Sequence, residues 1–320
     1  MRRSWRYAAS WAVTLLLLGW ILYRVPWSEV WSHLGQVRVW PLLLAGALSL
    51  LGNAWLTCEK YRLILRGLGI RMRLWEVVLM KLGSVPLKNV LPLKSGEIVR
   101  LVYLRRIHGV SYLKGGASVI VNLVCTLVGL GLLMLPGYVA LMDERVAWVL
   151  AGLLGAVTLL AMGMRGEGKE AEQARRPRDG ERILARGLKG AWQVAAELRP
   201  MGLARVLGYS ISFEGIKAIN YGLIFMAMGI SVPWAQLSRS IPPLILLSSL
   251  PISVMGLGIR EGGVLLAFSE TTSEANLVSA GLWVSVVEGL VPLMAGLALL
   301  RPFLHSLLSG AGRRGEEEAQ

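Results

Sequence analysis

The chain has 320 residues, 54% of them hydrophobic and 17% charged, and a formal net charge of +14. With a mean hydropathy of +0.56 it is too apolar for a soluble domain, where about a quarter of residues are charged, and the composition also excludes disorder, collagen and a disulfide-rich secreted fold. The excess of Lys and Arg fits the cytoplasmic side of a membrane and anionic lipid, so no nucleic acid partner is expected.

A helix crosses a bilayer with about 20 mostly apolar residues. The first such segment, residues 7–23, follows Arg2, Arg3 and Arg6 in the manner of a signal peptide. The bulky run Leu22-Tyr23-Arg24-Val25-Pro26-Trp27 offers no cleavage site, so the segment reads as a retained span. Residues 39–57 make a second span. Residues 74–99 are apolar but interrupted by Pro86, Pro92, Lys81, Lys88, Lys94 and Glu97. Residues 115–136 and 146–164 follow as the third and fourth spans. The loop 165–202 has nine basic and six acidic residues and an apolar stripe at Ile183, Leu184, Leu188 and Trp192, which suits an interfacial helix on anionic headgroups or a solvated linker. Residues 203–230 form the fifth span. Residues 240–268 are broken by Pro242, Pro243, Pro251, four glycines and the pair Arg260-Glu261. Residues 276–300 are the sixth span, and residues 311–320, with Glu316, Glu317 and Glu318, read as a disordered tail of a single membrane domain covering residues 1–310.

Irregular backbone survives at membrane depth only against protein or a wet cavity, so the two broken stretches read as re-entrant hairpins. With both termini inside and each hairpin returning to its own side, the inner segments hold 24 of the 34 Lys and Arg, and the outer ones hold four. That asymmetry is the positive-inside pattern. The hairpins then enter from opposite sides, and each ends in a small polar signature, Lys94-Ser95-Gly96-Glu97 and Gly258-Ile259-Arg260-Glu261-Gly262. An all-α integral membrane protein is expected, with six spanning helices, two oppositely oriented hairpins and the inverted repeat familiar from transporters. The cytoplasmic membrane is the expected location.

Ionisable residues inside membrane segments cost about 2.5–3.5 kcal/mol each at a helix centre and so point to function. Glu214 and Lys217, spaced i and i+3, can pair on one helix face as a coupling or structural ion pair. Glu288 stands alone on its span and calls for a cation, with Arg260 the natural partner. Gly96 and Gly258 let the backbone approach a ligand, and helix starts bind anions. With Asn89, Pro92, Lys94, Glu97 and Arg100 near one corner and Arg260, Glu261 and Gly262 in the other, each corner suits a lipid phosphate. The competing reading has Pro and Gly turning the chain while Arg and Glu close a salt bridge. Glu97 and Glu261 could each close a corner when no lipid is bound. Cys58 and Cys125 are too few, and His33, His108 and His305 too scattered, for a metal or a disulfide framework; no cofactor is expected. No Ser-His-Asp set, P-loop or dinucleotide fingerprint is present either.

The run Asn89-Val-Leu-Pro92-Leu-Lys94-Ser-Gly96-Glu97-Ile-Val-Arg100, then Gly109-Val-Ser111, and later Gly256-Leu-Gly258-Ile-Arg260-Glu261-Gly262, resembles the lysylphosphatidylglycerol synthase transmembrane-region family, also called flippase-like domain proteins. The resemblance extends over nearly the whole chain and implies a membrane domain that moves or handles lipids. In bifunctional members this domain translocates an aminoacylated phospholipid that a separate soluble domain makes. The sequence given ends at Gln320 without that domain, so lipid synthesis is not expected. Members usually carry a Glu-Arg pair and an Asp after the first motif, where this chain has Val121-Asn122-Leu123-Val124-Cys125-Thr126. The expectation is a non-enzymatic transporter or flippase holding an anionic or polyprenyl phosphate lipid between the two corners. A homo-oligomer or a separate lipid-modifying enzyme would be its protein partner. An intramembrane enzyme acting on a lipid phosphate and a non-catalytic accessory subunit are the alternatives.

Overall fold

In lipid, backbone N–H and C=O groups must pair within the chain, and a helix pairs them within one segment. A computed structural model describes residues 23–90, 96–140, 200–249 and 256–317, with positions 14–16, 19–21, 148, 152 and 155. Every regular element among the described residues is helical. Most of the expected first span, the span 146–164 and the loop 165–202 lie outside them.

A short helix α1 (Trp27–Gly35) leads into α2 (Val39–Leu51), a π-helical segment Gly52–Leu56 and α3 (Thr57–Gly67). Next come α4 (Leu74–Gly83), α5 (Val85–Val90), α6 (Gly96–His108) and the long α7 (Tyr112–Ala140). The second half runs α8 (Pro200–Ala227), α9 (Trp234–Ser249), α10 (Ile259–Ala267), α11 (Glu274–Ser285), a second π-helical segment Val286–Leu290 and α12 (Val291–Glu317). Both halves therefore share one order: long helix, broken pair, long helix.

Three helices are long and apolar enough to cross a membrane, Val39–Gly67, Tyr112–Ala140 and Glu274–Ser309. They contain three of the six expected spans and outrun them, with 29, 29 and 36 residues. At ~1.5 Å per residue, 29 residues reach ~44 Å, beyond a hydrocarbon core of ~30 Å. The expected fifth span is the single helix α8, as long but more polar because of Arg205, Glu214 and Lys217.

The broken stretches differ from each other in where they break. The first breaks at Ser84, between α4 and α5, just before Pro86, whose nitrogen has no hydrogen to continue the helix. In the second, α9 runs unbroken through Pro242 and Pro243, which the sequence suggested as breakers. The turn comes instead at Gly256 (φ 78°) and Gly258 (φ 80°), backbone conformations that glycine adopts at little cost. Helix α12 continues to Glu317, within the segment read as a disordered tail.

Each broken pair leans on the last long helix of the other half. A Cβ on Gly83 of α4 would lie 2.6 Å from Phe303 Cβ on α12, and one on Gly137 of α7 would lie 2.6 Å from the Ala235 carbonyl of α9. Only glycine allows contacts this close. The core divides accordingly. One cluster gathers Tyr61, Met80, Leu104 and Phe303 around the first pair, and another gathers Phe225, Ile241, Phe268 and Val278 around the second. Leu43, Leu123, Leu266 and Met294 stay exposed, an apolar exterior that suits lipid.

Candidate functional site

One group of polar residues gathers around the second π-helical segment, Val286–Leu290. A π turn displaces the normal hydrogen-bond ladder and is often found at functional sites. Here the Ser49 hydroxyl of α2 donates to the Val287 carbonyl at 2.9 Å, tying α2 to the second π-helical segment. The second segment carries Glu288, whose Oε1 accepts from Asn220 Nδ2 of α8 at 2.6 Å. Asn220 is fully buried, and its Oδ1 has no partner among the described residues.

Arg260 approaches the same segment from the first turn of α10. A Cβ on Gly289, next to Glu288, would lie 2.9 Å from Arg260 Nη1, and one on Gly256 would lie 3.4 Å from its Nε. The guanidinium thus lies in a cradle between two glycines. Among the described residues its side chain makes no hydrogen bond or ion pair. The expected Arg260–Glu288 salt bridge does not form. Glu288 is held instead by the Asn220 amide of α8.

Glu261, one residue on, is built into the helix start. It is 1% exposed. Its Oε2 accepts from the Gly258 N–H at 2.7 Å, and its Oε1 accepts from the Ser285 hydroxyl at 2.7 Å. This is the N-capping arrangement of a carboxylate at the third helical position. The start of α10 therefore already holds an internal anion, and Glu261 does not pair with Arg260. Close packing of α11 on this turn requires Gly281, where a Cβ would sit 2.6 Å from Glu261 Cα. Gly262 is buried on the same helix.

At the first corner, Lys81 Nζ donates to the Thr57 carbonyl at 3.0 Å and lies 5.6 Å from the Tyr61 ring. Arg100 is buried and donates through Nε to Ser84 Oγ at 3.2 Å, and that hydroxyl in turn donates to the Lys81 carbonyl at 2.9 Å. One turn beyond Arg100, burial against Phe303 pushes the Tyr103 phenol above its ordinary range. Asn89 is half-buried near the end of α5, and Gly96 and Glu97 open α6. Pro92 and Lys94 lie outside the described residues. The two corners sit in separate hydrophobic clusters.

Between them lies a second polar group that the sequence did not single out. Lys60 of α3 is 3% exposed. It donates to Thr126 Oγ1 of α7 at 3.0 Å and to Ser210 Oγ of α8 at 3.4 Å. Both hydroxyls spend their own hydrogens on backbone carbonyls, of Asn122 and Cys125 respectively. The uncharged stretch 121–126 thus receives a cation from a neighbouring helix. Residues 58–73 count among the inner segments in the Lys and Arg distribution; the helix begun at Val39 continues through the more polar Thr57–Gly67, so Lys60 lies on it. Nearby, Glu214 is 1% exposed and pairs with Lys217 at 2.9 Å, as their spacing suggested. Lys217 also stands 4.4 Å over the Phe213 ring.

The family model of the lysylphosphatidylglycerol synthase TM region matches residues 7–296, and so spans both broken pairs and every polar group above. The chain belongs to that family. No curated protein matches it significantly. Membership relates these polar groups to a membrane protein of lipid function, and Arg260 stands in the second motif by which the family resemblance was read.

Proposed function

We propose that the protein is a lipid transporter of the cytoplasmic membrane that works without enzymatic turnover. In this reading Arg260 binds a phosphate-bearing lipid headgroup while acyl or polyprenyl tails remain in the bilayer. One observation carries it: the Arg260 guanidinium lies in a glycine cradle beside Glu288 and makes no hydrogen bond or ion pair among the described residues. An unpaired charge in a membrane interior is costly. A planar guanidinium matches phosphate oxygens in a way an ammonium does not. At the first corner, by contrast, Lys81 and Arg100 already donate to protein oxygens.

The proposed topology has both termini inside and two re-entrant pairs entering from opposite sides. Two contacts support it. Arg24 Nε donates to Glu274 Oε1 at 3.0 Å, and Arg38 N donates to the Ala227 carbonyl at 3.0 Å. The first joins two segments that the Lys and Arg distribution assigns to the outer side, and the second ties one of those segments to the outer end of the fifth span.

Headgroup binding is tested by native mass spectrometry of lipids co-purified with the protein. Arg260→Gln should lose retained anionic lipid about tenfold, in line with the net strength of a charged hydrogen bond. Arg260→Lys should keep part of it. Equal retention by wild type and Arg260→Gln would remove Arg260 from the site.

A further inference from the structure

Arg260 Nη1 packs on Gly289, and the adjacent Glu288 holds a second group of opposite hydrogen-bonding character, Asn220 of α8. The Asn220 amide is oriented by Glu288, because only its Nδ2 can donate to the carboxylate at 2.6 Å. Its Oδ1 is left as a buried acceptor without a donor among the described residues. Buried acceptors are rarely left so, and when they are, a water, an ion or a ligand is the usual explanation. Around one π-helical turn, then, the protein offers a guanidinium with no partner among the described residues together with one buried acceptor oxygen, Asn220 Oδ1, that needs a donor. A bare phosphate fits the first and leaves the second unsatisfied.

We propose that Asn220 is a specificity-determining residue, accepting a hydrogen bond from a donor group on the lipid headgroup whose phosphate Arg260 holds; this rests on the headgroup-binding reading above. The ligand class is a phosphodiester headgroup bearing a hydroxyl or an ammonium. Glycerol and ethanolamine headgroups share that chemistry. Asn220 is 0% exposed, so headgroup entry requires α8 and the segment Val286–Leu290 to part. A displaced hydrogen-bond ladder makes such a segment easier to move than a regular helix.

The test offers the purified full-length protein an equimolar mixture of phosphatidylglycerol, phosphatidylethanolamine and phosphatidylmethanol with matched acyl chains. Phosphatidylmethanol has the same singly charged phosphodiester and no headgroup donor. Retention is read by native mass spectrometry. Wild type should retain at least one of the donor-bearing lipids about tenfold over phosphatidylmethanol, the discrimination expected when a buried acceptor is left unpaired. Preference for phosphatidylethanolamine identifies an ammonium, and preference for phosphatidylglycerol a hydroxyl. Asn220→Leu should bring the three within about twofold while phosphatidylmethanol itself is still retained as in wild type. Because that change strands the Glu288 carboxylate, Asn220→Leu/Glu288→Met is run alongside and should behave the same.

Equal retention of all three lipids by wild type would overturn the proposal, leaving Asn220 Oδ1 to a buried water only, and needs no variant. Undiminished selectivity in the variants would overturn it as well. Failure of the underlying headgroup reading looks different: Arg260→Gln would then retain phosphatidylmethanol as well as wild type does.

Discussion

Replacing Glu261 separates a helix cap from a gate. The carboxylate accepts two hydrogen bonds of 2.7 Å, from the Gly258 N–H and the Ser285 hydroxyl, and the side chain is 1% exposed. A hydrogen bond to a charged group contributes about 1.5–3 kcal/mol, so removing both in Glu261→Leu should destabilise by ~3–6 kcal/mol. Glu261→Gln retains the shape. Its amide oxygen can still accept from Gly258, and the Ser285 hydroxyl can rotate to accept from the new NH2 group. What is lost is the charge at the helix N-terminus, worth about 0.3–2 kcal/mol. Ser285→Ala removes one of the two bonds and should fall between the other variants at ~1.5–3 kcal/mol. The order of loss is therefore Leu, then Ser285→Ala, then Gln. It can be read from thermal unfolding midpoints in one detergent, with lipid retention measured on the same preparations. Wild-type stability in Glu261→Leu, combined with slower lipid exchange, would refute the capping argument and restore Glu261 as a closing group.

Lys60→Met should change stability by less than ~1 kcal/mol, because a well-packed apolar replacement of a buried charge is commonly neutral or better and the Thr126 and Ser210 hydrogens are already donated elsewhere. A much larger drop in the unfolding midpoint would mean that Lys60 also neutralises Glu214. Lys217→Met, in contrast, strands the buried Glu214 carboxylate and should cost ~3–5 kcal/mol, checked by the same scan. Gly281→Ala places a methyl 2.6 Å from Glu261 Cα; forcing α11 away from α10 should cost ~1–3 kcal/mol and reduce lipid retention with it, whereas an unchanged midpoint would mean the helices separate freely. Single cysteines at Ser32 and Thr272 should react with an impermeant thiol reagent on intact cells and one at Gly69 only after permeabilisation; reaction at Gly69 from outside would invert the proposed topology.

Apolar stretches of bilayer length, the distribution of Lys and Arg, and two motifs that need no register were all legible in the sequence. They were enough for a helical membrane protein, for three of its long apolar helices and for its family, because each is a property of one contiguous segment. The Glu214–Lys217 pair was legible for the same reason, since both lie on one helix face. What the sequence left open was settled between segments. The burial of Lys60 appeared only once α7 and α8 were packed around it. Arg260 and Glu288 looked like partners by charge alone. Packing brought Asn220 of α8, not Arg260, within hydrogen-bond reach of the carboxylate. Glu261 caps its own helix locally, but its second bond forms only because Gly281 lets α11 bring Ser285 within reach of it. Charge and hydropathy act along the chain and can be read from it, whereas the partner of each buried polar group depends on which helices approach closely, and that is fixed only by packing.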